Sequence, residues 1–346
     1  MSDEPKHTPH RAPRPGPWAT LPTMAPAGSR AVTAPADRTA RRIAPSPLEP
    51  GATRDPYRTY RVLREEFPLT HDPLLRAWVL SRYADVAAAL TDARFTHGHR
   101  PGDPPCAEIH SDFDDADEAE LRAVAERTAF VLARRIADRP RADLVADFCH
   151  WLPAGTVAAA VGVPYRDMMR LVRGRAASAL AGQCTAQIAV REKALAGFLA
   201  DVLTDPDQVA AFRDAPAGLV ARAWTESLRR EPPVQIVMRR ARGEIRVSGG
   251  TIPSGASVAL LIGAAGRDPE RFRDPDRFDP LREDPDQLTY GGGPCPAVTL
   301  ARLEAEYALR ALFQAMPRLR LVDGFRPERT GVITRAPRNL LVRPGG

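Results

Sequence analysis

The clearest apolar pattern in the chain lies near its C-terminal end. Leu300, Leu303 and Tyr307 form one row at helical spacing, and Leu309, Leu312, Phe313 and Met316 form another. Apolar residues three and four apart share a helix face, so a helix is predicted over Ala297–Met316. Helices are also predicted over Tyr57–Phe67, Ala84–Thr91 and Ala217–Arg230, the last stopped by Pro232-Pro233. Between residues 239 and 255 the chain reads as two strand-like pieces around a turn, followed by the apolar run Val258-Ala-Leu-Leu-Ile262. The stretch Gly266–Pro280 is dense in proline and aspartate and is expected to lack regular structure. A mostly helical α+β fold with small sheets is therefore predicted.

Composition changes that picture at one end. The first fifty residues carry eleven of the 35 prolines and no apolar periodicity. Residues 1–45 are expected to be a disordered arm and 46–346 a single domain. No run reaches the ~18 apolar residues of a membrane span and no signal pattern opens the chain, so a cytoplasmic protein is expected. Net charge is +6, with Lys6 and Lys193 the only lysines. The arginines alternate with carboxylates instead of clustering with aromatics, which argues against nucleic-acid binding. The four cysteines, Cys106, Cys149, Cys184 and Cys295, show no paired spacing, against a zinc site or a disulfide framework. His97 and His99 form a pair without a third ligand.

Candidate chemistry centres on Cys295. It stands in Tyr290-Gly291-Gly292-Gly293-Pro294-Cys295-Pro296, a glycine-rich loop running into the last predicted helix. The positive end of a helix dipole favours a thiolate, and thiolates hold soft or borderline metals and, in some proteins, haem iron. Three glycines let the backbone approach a flat, bulky ligand. Upstream, Glu226 and Arg229 lie three apart on one helix face and can pair.

In order and spacing these pieces resemble the haem-thiolate monooxygenase family, cytochrome P-450, in its bacterial soluble form. The similarity covers Asp55–Phe95 and runs with few gaps from about Pro206 to the C-terminus. The resemblance implies haem as cofactor and Cys295 as its axial iron ligand. It implies a brace made by Glu226, Arg229 and Arg277, the last from Pro275-Asp-Arg277-Phe278. Arg239 takes the place of an arginine that binds a haem propionate, and Tyr290 to Gly293 line the cofactor.

Five departures from the family pattern bear on activity. The cysteine loop is shorter than usual by two residues, one of them normally basic. Pro296 follows the cysteine and has no N–H to offer the sulfur. Where a haem-contacting His-x-x-x-Arg element is expected, the chain reads Asp115-Ala-Asp-Glu-Ala-Glu-Leu-Arg122, without the histidine, and Arg122 remains as a candidate contact. The helices that roof the substrate pocket are trimmed. Ala181-Gly-Gln-Cys-Thr185 resembles the central-helix signature that supplies protons, which would make Thr185 catalytic, but a gap-free count from Glu226 falls at Ala189-Val190-Arg191.

The expected function is a haem-thiolate oxidoreductase acting on a small secondary-metabolite substrate, with a ferredoxin-type redox partner. The alternative is a haem-free auxiliary protein of the same fold that binds and activates a pathway enzyme.

Overall fold

The computed structural model describes residues 43–97, 118–160, 179–289 and 296–345. Cys106, Asp115–Asp117, the predicted Gly-rich loop Tyr290–Cys295 and most of the 1–45 arm lie outside them. Among the described residues, the N-terminal part places α1 (Tyr57–Glu66), the hairpin β1 (Leu69–Asp72) and β2 (Ala77–Leu80), α2 (Tyr83–Thr91) and β3 (Phe95–His97). The hairpin turn closes on Asp72, whose Oδ1 accepts from the backbone N–H of Leu74 and Leu75 at 2.8 and 2.7 Å.

A helical layer follows: α3 (Glu118–Ala137), the short β4 (Ala142–Asp143), a π-helical turn over Val145–Cys149, α4 (Trp151–Ala160), α5 (Ala179–Leu203), α6 (Pro206–Arg213) and α7 (Ala217–Arg230). Helix α6 opens on a local signal: Asp205 accepts from the N–H of Asp207 and Pro206 occupies the first helical position. The chain then forms β5 (Ile236–Ala241), β6 (Ile245–Val247), β7 (Gly250–Ile252), β8 (Ser257–Leu261) and the short α8 (Ile262–Ala265). Helix α9 (Pro296–Ala315) and four short strands, β9 (Arg320–Leu321), β10 (Arg329–Thr330), β11 (Ala336–Pro337) and β12 (Leu341–Arg343), complete it.

The main sheet has the order β1-β2-β8-β5-β3. Only β2 and β8 run parallel, with Trp78 opposite Val258 and Leu80 opposite Leu260. The run 258–261 is buried on both faces because α1 and α8 cover one side and α2 the other. The helices bury a separate and larger apolar cluster, in which Leu300, Leu303, Leu309, Leu312 and Met316 of α9 and its exit meet Leu121, Ala125, Leu132 and Ile136 of α3.

The four helices and the 245–262 sheet region stand where the apolar pattern predicts them, with ends shifted by one residue at most. The mostly helical α+β architecture is as expected.

Candidate functional site

Helix α9 begins at Pro296, directly after Cys295 in the chain, with proline at the first helical position, where its missing N–H costs no hydrogen bond. Both flanks of the cysteine loop are anchored. On the entry side the Thr289 hydroxyl donates to the carbonyl of Leu228 in α7 at 3.4 Å, and Leu288 packs against the sheet cluster. On the exit side Leu300 and Ala301 are buried in the helical core.

Helix α7 carries a buried ion network. Glu226 and Arg229 are both 0% exposed at the side chain and join through two parallel hydrogen bonds, Arg229 Nε to Oε2 at 2.7 Å and Nη2 to Oε1 at 2.8 Å. The remaining donors of Arg229 reach the carbonyls of Gly266 at 2.5 Å, Pro275 at 2.9 Å and Arg277 at 3.3 Å. Its guanidinium lies over the Phe272 ring at 5.0 Å. Burial pulls the Arg229 pKa below its ordinary value, and the Glu226 carboxylate opposes that pull. A bidentate pair with every donor satisfied is the geometry in which a buried arginine is tolerated.

The third member of this brace differs from the expectation. Arg277 contributes its backbone carbonyl while its side chain is exposed, and Arg282 completes the network through Nε to Glu226 Oε2 at 3.0 Å. The physical reason is the path of the chain. Residues 275–279 turn two carbonyls toward Arg229 and the N–H of Asp279 toward Glu226 Oε1 at 3.0 Å, which sends the Arg277 side chain to solvent. Five residues on, Arg282 reaches back and also donates to the carbonyls of Arg273 and Asp274. Sequence spacing gave no sign of this; Phe278-Asp-Pro-Leu-Arg282 carries the arginine, but only the fold brings it to Glu226.

Arg239 lies in β5 between His97 of β3 and Val258 of β8, partly buried, with Nη1 on the carbonyl of Met238 at 3.0 Å. Arg122 is on the outer part of α3 and pairs with Glu118 at 2.9 Å, one helical turn away. Thr185 falls within α5, its side chain outside the described residues, as are Tyr290, Gly291, Gly292, Gly293 and Cys295. At the gap-free register the structure places Arg191, an arginine in the core that sequence reasoning did not single out for any role. Its partner, Glu304, is nine residues beyond Cys295.

The donor set fits haem held by a thiolate: one cysteine directly before a helix in the chain, three glycines before it, a satisfied buried brace on α7 and Arg239 in the sheet.

The model of the family described as Cytochrome P450 matches residues 219–315, the stretch that holds both the brace and Cys295. Protein DesVIII of Streptomyces venezuelae is 31% identical over 340 residues, spanning 82% of this chain and 84% of its own. The chain belongs to the cytochrome P450 family. The 6-deoxyerythronolide B hydroxylase of Saccharopolyspora erythraea is 29% identical over 77% of this P450 and 90% of its own length. Among solved structures, P450BioI in complex with an acyl carrier protein bearing hexadec-9Z-enoic acid superimposes with a TM-score of 0.67. It is 26% identical and covers 84% of this chain and 98% of that one. Cytochromes P450 are monooxygenases, oxidoreductases whose cofactor is haem, iron-protoporphyrin IX. No helix among the described residues of this P450 is long and apolar enough to cross a membrane.

Proposed function

We propose that this P450 oxidises a small, apolar or polyketide-like secondary metabolite, with Cys295 as the axial ligand of its haem. The observation that carries the reading is the complete brace on α7. Glu226, Arg229 and Arg282 join α7 to the 266–282 segment, and Thr289 ties the start of the cysteine loop to the same helix. When bound, haem with a thiolate ligand supplies the oxidising chemistry, the electron-rich sulfur favouring O–O cleavage. The chain's own residues do the holding. Cys295 would give the sulfur, Arg239 would neutralise a propionate, Tyr290 to Gly293 would line the ring, and Arg122 is a further candidate contact. Thr185 is the candidate for proton supply. The 6-deoxyerythronolide B hydroxylase supports a substrate of the polyketide class. Arg271, Arg273, Arg277 and Arg282 line a cavity of about 470 Å³ on the brace side together with Asp274, Asp279, Glu283 and Asp284, a lining balanced in charge, so a redox partner of the ferredoxin type rests on the family reading alone.

A second reading, a haem-free member that binds and activates a pathway enzyme, draws on two observations. Pro296, the first residue of α9, has no N–H to aim at the sulfur. At the register counted from Glu226, α5 carries Arg191 locked in an ion pair instead of an acid and a threonine.

Haem loading separates the readings. Purified protein supplied with haem is expected to show a strong Soret band, and its reduced carbon-monoxide complex a red-shifted band typical of thiolate ligation. Cys295→Ser should remove the shifted band, because a neutral hydroxyl cannot replace the thiolate as donor. A folded protein that never takes up haem sinks the oxidoreductase reading and leaves the auxiliary one.

A further inference from the structure

A second buried ion pair joins α4, α5 and α9, and its hydrogen bonding is unlike that of the brace. Arg191 and Glu304 are each 1% exposed, and Arg191 Nη2 donates to Glu304 Oε1 at 2.7 Å. The same nitrogen reaches Thr156 Oγ1 of α4 at 3.2 Å and the Pro153 carbonyl at 3.5 Å, while the Thr156 hydroxyl also bonds Glu304. Among the described residues the other donors find no acceptor: Nε and Nη1 of Arg191 are buried without one. Arg229, by contrast, places all three of its nitrogens on acceptors. Burial also pushes the Glu304 carboxyl above the usual carboxylate range, against the pull of Arg191.

A buried guanidinium with two of its three nitrogens idle is a poor source of stability. Desolvation of both charges opposes their attraction, and unmatched donors add to that cost. Apolar residues of similar volume would hold three helices together at least as well. What an ion pair does that apolar packing does not is select one register. A salt bridge at 2.7 Å tolerates little sliding, whereas leucine and alanine faces re-pack after a slip.

The register at stake is that of the helix that follows Cys295. Glu304 is the ninth residue of α9, about 12 Å along the axis from its first, at a rise of about 1.5 Å per residue. We infer that Arg191, with Glu304, is a positioning pair that sets the axial register of α9 against α5, and through α9 the placement of Cys295. The pair does not touch the reacting atoms. The inference rests on Cys295 as the functional sulfur, the reading given above.

The test separates register from stability. Arg191→Met with Glu304→Leu replaces the pair by apolar side chains of similar length, and Arg191→Lys keeps the charge. In full-length, haem-free protein, thermal unfolding is followed beside the rate at which iodoacetamide alkylates Cys295, resolved from the other cysteines by peptide mass spectrometry. Thiol reactivity follows thiolate character and access, both set by the start of α9. The double variant is expected to hold or raise Tm while its Cys295 alkylation rate changes by about threefold or more. Arg191→Lys should stay near the wild-type rate. Two results overturn the inference: an unchanged Cys295 rate in a stable double variant, or a Tm loss in the double variant as large as in Arg191→Met alone. Failure of wild-type protein to bind haem would sink the oxidoreductase reading yet leave the alkylation result standing, so the two are told apart.

Discussion

At the scale of single residues, the brace turns on which arginine meets Glu226. Arg282 is 11% exposed at the side chain and bonded to Glu226, whereas Arg277 is exposed and offers only its carbonyl. Truncating a charged partner in a buried network costs about 1–3 kcal/mol, while a solvated surface side chain costs within about 0.5 kcal/mol. Arg282→Ala is therefore expected to lower stability in urea unfolding by about 1–3 kcal/mol, and Arg277→Ala to leave it nearly unchanged. Equal losses for the two, or the reverse order, would show that Glu226 is braced by Arg277 after all. Glu226 itself anchors Arg229, Arg282 and the N–H of Asp279, so its position is the least tolerant of the three.

At the scale of elements, one glycine sets how closely α7 and α8 meet. A Cβ added to Gly266, the residue after α8, would lie 2.0 Å from the carbonyl oxygen of Arg229, a rigid backbone atom. The Gly266 carbonyl also accepts from Arg229 Nη1. Gly266→Ala must push α8 and the end of α7 apart and break that bond, an overpacking strain of about 1–3 kcal/mol or more. Its backbone dihedrals are helical, so the conformation as such would suit alanine, and close approach alone is what demands glycine. Alanine at Gly218, where no atom stands within 4 Å of the added Cβ, serves as the control. A Gly266→Ala protein with wild-type Tm would mean that the two helices can separate without loss.

At the scale of the whole molecule, the helical core and the sheet bury separate apolar clusters, and the 226–282 network joins the two parts. Ser46 and Pro47 are the first buried residues among those described. The preceding sequence is proline-rich and without apolar periodicity. Removing residues 1–42 is expected to leave Tm within about 2 °C and the circular-dichroism spectrum unchanged apart from length. A truncated protein that aggregates or melts several degrees lower would assign the arm a structural role.

The sequence by itself determined the elements with strong local signals. Periodic leucines and Tyr307 marked α9, the double proline ended α7, the apolar run marked β8, and the order of Glu226, Arg229, Arg239 and Cys295 pointed to the family. These signals are local because helix period, proline sterics and strand burial act over a few residues. Tertiary structure alone decided which side chains meet. Arg282 in place of Arg277, and Arg191 against Glu304, are pairings over 56 and 113 residues of chain. Nothing in local spacing reports such pairs, since each depends on where a proline- and aspartate-rich stretch turns its carbonyls and on how three helices align.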